Sequence, residues 1–262
     1  MGAAEYDAGM RQTGLLILAV ACAAMFAGVS GCAGGKGAAS RAVEVAHVGE
    51  MRAVMREGKS EARVVIAGDI ARPHMFAVGA MAGLQGEVTI KDGQVWVTRV
   101  VGGAPAGAGP SVGASDWATM LTSASVPAWE AVELDADARG GELEALIARV
   151  AGARGLDTAK PFPFRIEGRI TSLEMHVVNG YCPHGEGNAS ESNLPWKFSG
   201  EPPEDTSIVG FFAEGAGGVL THHGTAIHAH AIVGAPEGTL TGHVDAMGVG
   251  RGAVLLLPAG SR

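Results

Sequence analysis

Hydrophobic and polar residues alternate along much of the chain with a period of two, as in strands that bury one face. Residues 87–90 and 95–98 do so on either side of Lys91, Asp92, Gly93 and Gln94, and Asp-Gly between two alternating runs predicts a tight hairpin. Residues 162–170 and 173–178 alternate again, 208–212 form an apolar run of strand length, and 227–233 read as another strand. Helical spacing is confined to two places. Residues 43–56 predict a short helix, and residues 141–155 an amphipathic one with Leu143, Ile147 and Val150 on one face. Residues 102–113 and 180–205 are rich in Gly and Pro without periodicity and read as loops, the second long enough for a lid. The pattern predicts an α+β fold: two β-rich halves, each a mixed sheet or barrel-like, spanning residues 43–158 and 159–262 and joined by the second helix.

Composition agrees with this picture. Aromatic residues make up only 5% of the chain while glycine occurs 41 times, which favours β-structure with many turns over a helical bundle. A formal charge of −8 argues against nucleic acid or an anionic membrane surface as the main partner, because both need clustered Lys and Arg.

The first residues carry an address rather than a fold. Residues 14–28 are apolar and uncharged, bounded by Arg11 and by Val29, Ser30, Gly31 and Cys32. That stretch is shorter than the roughly 20 apolar residues of a spanning helix and has the layout of a signal peptide. Its small-residue tail before a cysteine resembles the bacterial lipobox. The expectation is a signal peptide over residues 1–31, lipidation at Cys32, and a Gly/Ala-rich tether over residues 32–42. The chain would then be an exported lipoprotein, anchored by its lipid at the cell envelope. Met10 followed by Arg11 makes a more regular start than the acidic residues before it. Once the signal is removed and Cys32 is lipidated, Cys182 remains alone, so no internal disulfide is expected.

Chemistry concentrates in the second half. Five of the nine histidines lie between His222 and His243. His228 and His230 are two apart on a strand, so both rings leave the same face with about 6 to 7 Å between their Cα atoms. The chain turns through Gly234–Gly238 and returns with His243, which an antiparallel return strand brings opposite the pair. Three neutral imidazoles with open positions suit a catalytic zinc ion, and imidazole equally suits Fe, Ni or Cu. His222 and His223, in a Gly-rich turn upstream, are weaker candidates.

Three blocks resemble the bacterial α-acetolactate decarboxylase family. The first runs from Phe76 through Gly79, Leu84 and Gly86 to Glu87; the second is Arg165, Ile166, Glu167 and Gly168; the third is the His228/His230 pair followed by Gly242, His243 and Val244. Their order and spacing agree with the family from about residue 43 to the C-terminus. The resemblance implies a zinc-dependent lyase that converts 2-acetolactate to acetoin and carbon dioxide, with Glu87 as the proton-handling carboxylate. A small anionic hydroxy- or keto-acid would be the partner, and a homodimer is compatible. Two departures stand out. His176 occupies the position of a substrate-holding arginine, and residues 254–258 offer no late acidic residue. Arg165 or Arg169 is then expected to replace the missing cation. The alternatives are a related metal enzyme acting on another hydroxy- or keto-acid, and a non-catalytic metal- or ligand-binding envelope lipoprotein. A cupin-like barrel is a rival fold, disfavoured because His243 follows the pair so soon.

Overall fold

The computed structural model describes residues 41–68, 70–110, 116–181, 190, 193–236 and 238–260. Cys32, Cys182 and the expected signal peptide lie outside the described residues. The β-rich α+β architecture is present as two sheets. The first contains β1 (Val45–Val48), β2 (Val64–Val65), β3 (Met75–Met81), β4 (Glu87–Lys91), β5 (Gln94–Val101), β6 (Ala104–Ala108) and β7 (Trp117–Ser125). Its order is β1-β7-β3-β4-β5-β6, with β2 also on β7. The second contains β8 (Trp129–Glu133), β9 (Ala138–Arg139), β10 (Phe162–Glu167), β11 (Ile170–Val177), β12 (Trp196–Gly200), β13 (Ser207–Phe212), β14 (Ile227–Ala235), β15 (Gly238–Val249) and β16 (Val254–Pro258). Its order is β12-β11-β15-β14-β13-β10-β16-β8, with β9 on β15. Every pairing between these strands is antiparallel. The chain passes from one sheet to the other between Ser125 and Trp129, ahead of the helix α2 (Gly140–Ala153).

The hairpin between β4 and β5 forms where Asp-Gly predicts it. Asp92 and Gly93 both have positive φ, 53° and 76°, as a type I′ turn requires. The first predicted helix is shorter than its pattern. Only α1 (Met51–Arg56) is helical, and residues 45–48 pair with β7. Gly49 separates the two at φ 77°, where an added Cβ would lie 2.2 Å from the Thr119 carbonyl oxygen. Both expected loops contain a strand. Residues 104–108 form β6, at the sheet edge, where Pro105 costs no interior hydrogen bond. Residues 196–200 form β12, which pairs with β11.

Packing sets the direction in which β14 presents its side chains. Ala229, Ala231 and Val233 lie in the core shared with Leu143, Ile147 and Val150 of α2. Ile232 lies in the separate core between the sheets, with Phe76, Trp96, Val209 and Phe211. The pleat therefore turns His228 and His230 away from α2 and toward the first sheet.

Candidate metal centre

His228, His230 and His243 converge: one ring nitrogen from each lies within 4.8 Å of the other two. They are almost wholly buried, at 1%, 0% and 6% exposure. Strand register produces the convergence. His230 on β14 stands directly opposite His243 on β15, and His243 stands opposite His176 on β11. Opposed residues project to the same face, so His176, His243 and His230 form one row across three strands. Gly242 permits that approach, since a Cβ there would lie 2.7 Å from the His176 carbonyl oxygen.

The protonation of His230 follows from its hydrogen bonds. The Thr241 hydroxyl donates to the Ala231 carbonyl oxygen at 2.9 Å. Thr89 Oγ1 lies 2.5 Å from Thr241 Oγ1 and 3.1 Å from His230 Nδ1. A carbonyl can only accept, and each hydroxyl has a single proton. Thr241 spends its proton on Ala231, so Thr89 donates to Thr241 and accepts from the Nδ1–H of His230. Nε2 of His230 is left with a bare lone pair. That atom, like both ring nitrogens of His228, makes no hydrogen bond of good geometry, although the Val88 and Leu220 backbones lie close enough to oppose slightly the fall in the His230 and His228 pKa values.

Burial also keeps the three rings neutral. Desolvation is the main cause that lowers the pKa of each, to about 3 for His228 and well below the usual 6.5 for His230 and His243. Neighbouring histidines push in the same direction. Buried lone pairs on convergent, uncharged imidazoles fit a divalent metal ion. His228, His230 and His243 are therefore the residues that could hold such an ion.

Glu87, the first residue of β4, joins this cluster from the other sheet. Its Oε2 lies 3.7 Å from His230 Nε2, and the Val178 N–H points at its Oε1 at 3.5 Å. Both distances exceed a good hydrogen bond. Burial raises the Glu87 pKa well above the usual carboxylate range, with a smaller push from Asp245. A carboxyl so placed favours its protonated form.

His176 is buried and its Nδ1 lies 2.9 Å from both carboxylate oxygens of Asp245. Asp245 owes its position to a β-bulge. Met175 pairs with Val244 and Glu174 with Ala246, so Asp245 is the extra residue between them. His222 also reaches the centre, its ring edge-on to His243 at 4.9 Å between centroids. A cavity of about 500 Å³ opens beside His243, walled by His222, His223 and Asp245 and by Arg52 and Arg56 of α1.

Arg165 and Arg169 are not the expected replacement cations. The Arg165 guanidinium packs over Phe76 and Trp129, 5.6 and 5.4 Å from their ring centres, and pairs with Glu167. Arg169 lies against Gly250. Neither lines the cavity. Sequence reasoning missed Thr89, Thr241, Asp245, Arg52 and Arg56. Asp245 alone left a signal, as an acid two residues after a predicted ligand.

No protein-family model matches this sequence, and no curated protein matches it significantly. Solved structures do match. An α-acetolactate decarboxylase from Bacillus subtilis strain 168 superposes with a TM-score of 0.59 at 17% identity, covering 81% of this chain and 84% of that one. An acetolactate decarboxylase from Bacillus subtilis subspecies spizizenii gives the same TM-score and identity over 81% and 85% of the two chains. A Staphylococcus aureus protein of unknown function, described as similar to α-acetolactate decarboxylase, gives a TM-score of 0.58 at 14% identity over 83% and 84%. A barrel of the cupin type is thereby set aside, and the resemblance carried by the three sequence blocks holds at the level of the whole fold. This chain has the fold of the α-acetolactate decarboxylases.

Proposed function

We propose that this protein is a divergent metal-dependent carboxy-lyase that converts 2-acetolactate, or a closely related 2-hydroxy-3-keto acid, to a hydroxyketone and carbon dioxide. The observation that carries the reading is the convergence of His228, His230 and His243 beside the buried Glu87, on this fold. Zinc is the ion we propose, since three imidazoles with open positions suit it. Held there, it would supply Lewis acidity that polarises the hydroxyl and keto oxygens of the substrate.

The chain's own residues supply the rest. Loss of carbon dioxide leaves an electron pair on the former carboxyl-bearing carbon, and one proton must be delivered there to complete the hydroxyketone. Glu87 carries that proton, because burial keeps its carboxyl protonated. His176 stands where the family has an arginine, and its Nδ1 faces Asp245. The Asp245 carboxylate fixes the orientation of that ring in the row it forms with His243 and His230.

The test is acetoin release from 2-acetolactate by the zinc-loaded protein. Release that disappears in Glu87→Gln, with zinc retained, supports the reading; zinc binding without acetoin rejects it. That second result would favour a related enzyme or a metal-holding protein, readings supported by the exchange of arginine for His176. In either reading the chain works at the cell envelope, anchored through Cys32. Radiolabelled palmitate incorporated by the parent but not by Cys32→Ser supports that placement, and equal labelling rejects it.

A further inference from the structure

The cavity beside His243 has an imbalance of hydrogen-bonding capacity. Its two acids are both engaged. Asp245 faces His176 Nδ1 at 2.9 Å, while Glu144 accepts from the Thr225 hydroxyl at 2.5 Å and from the Ala226 N–H at 3.2 Å. Its two arginines, Arg52 and Arg56, make no side-chain hydrogen bond or ion pair among the described residues. Glu57, next in the chain after Arg56, is paired with Lys59 at 2.8 Å and feels Arg52 only as a weaker, longer-range charge. A guanidinium carries five N–H donors and no acceptor, so these exposed side chains present donors to whatever enters the cavity.

Their placement is built into the fold. Arg52 and Arg56 are four apart and share a face of α1. The opposite side of the helix is pinned by buried Met51 and Val54, which pack with Ala80, Leu84, Met120 and Val178. Val178 is the residue whose N–H faces Glu87. The backbone N–H groups of Met51 and Arg52 donate to the carbonyls of Val219 and Gly218, at 3.1 and 2.8 Å. Gly218 has φ 83°, and a Cβ there would sit 3.8 Å from Arg52 Cβ and 3.1 Å from His223 Nε2. Glycine suits this position through its positive φ and its close approach to the His223 ring, with Arg52 at ordinary contact distance.

We infer that Arg52, backed by Arg56, is the residue that receives the carboxylate of the ligand in this cavity, and so selects small acids over their neutral counterparts. The inference rests on the reading of the site as one for a hydroxy acid. A planar guanidinium matches a carboxylate with two parallel hydrogen bonds, which an amide or a ketone cannot return. Arg52 is a specificity residue in this account, distinct from the histidines and from Glu87.

Calorimetric titration of the full-length, zinc-loaded protein tests it, with 2-hydroxyisobutyrate as the acid and 2-hydroxyisobutyramide as its neutral match. Arg52→Ala should weaken the acid by about 10- to 100-fold and leave the amide and the zinc content unchanged. Arg52→Lys should fall between, since it keeps the charge and loses the fork. Both variants sit on an exposed helix face, and thermal melts matching the parent's verify the fold. Unchanged acid binding in Arg52→Ala, or equal loss of acid and amide, overturns the assignment to Arg52 and leaves the proposed function standing. Failure of the parent to bind either compound overturns both.

Discussion

Replacing Thr89 by valine removes one oxygen from a relay in which the protons of His230, Thr89 and Thr241 each have an assigned place. Valine has nearly the same shape, so the change isolates the hydroxyl. In the parent, His230 Nδ1–H donates to Thr89 Oγ1 at 3.1 Å, and the relay ends on the Ala231 carbonyl. In Thr89→Val that N–H loses its hydroxyl acceptor inside the core, while the Thr241 hydroxyl keeps its bond to Ala231. One orphaned donor of this kind costs about 1–3 kcal/mol. For a domain of this size each kcal/mol lowers the melting temperature by about 2–4 °C. The apoprotein should therefore melt several degrees below the parent. The second effect is on the metal. Without an acceptor at Nδ1 the ring is free to place its proton on Nε2, the atom that faces the other histidines, and affinity should drop about 10- to 100-fold. Competition against a chromophoric chelator measures the affinity, and differential scanning calorimetry measures the melt. Thr89→Ser should restore both. A valine variant with the parent's affinity and the parent's melt would show that the relay does not set the tautomer.

Three further outcomes follow from the same geometry. The histidines titrate near 6.5 when unfolded and lower when folded, so the unfolded chain binds more protons between those values and stability falls with falling pH. For His228 the window runs from 6.5 to about 3, and the loss is as much as ~1.4 kcal/mol per pH unit for each such ring. Urea melts of the apoprotein should show its midpoint declining from pH 6.5 to 5.5; a flat midpoint contradicts the buried neutral state. Glu87 has the opposite sign. Its raised folded pKa gives stability below about 4.5 that is lost as pH rises through the folded value, so Glu87→Gln apoprotein should gain on the parent at pH 8 and match it near pH 4. Parallel stability curves for the two proteins would refute that. Asp245→Asn should lower acetoin release at least tenfold through the misoriented His176, with zinc stoichiometry intact, and rescue by Asp245→Glu is expected in part. Release at the parent's rate in Asp245→Asn would leave the bulge without a functional role.

What could be read before the structure was whatever depends on short-range periodicity. The His228 and His230 pairing is legible because a strand turns alternate residues to one face, and His243 because a short turn reverses the chain onto that face. The Asp92-Gly93 hairpin is legible because its turn type demands those residues. The unreadable parts depend on long-range pairing. Thr89 meets Thr241 only because the first sheet packs on β15, 152 positions away in sequence. Asp245 reaches His176 through a bulge, and alternation alone cannot show where a strand gains an extra residue. Arg52 was hidden because an apparently continuous helical pattern over residues 43–56 is broken at Gly49, which frees α1 to fold over the cavity. Arg165 looked available because its buried stacking on Phe76 and Trp129 involves both sheets.

The proposed chemistry requires His228, His230 and His243 to hold a single metal ion. Metal analysis of the purified protein after zinc reconstitution and gel filtration tests it most directly, set beside His228→Ala and His230→Ala. The parent should retain about one zinc per chain and neither variant any. A parent that keeps no metal, or alanine variants that keep as much as the parent, would contradict it.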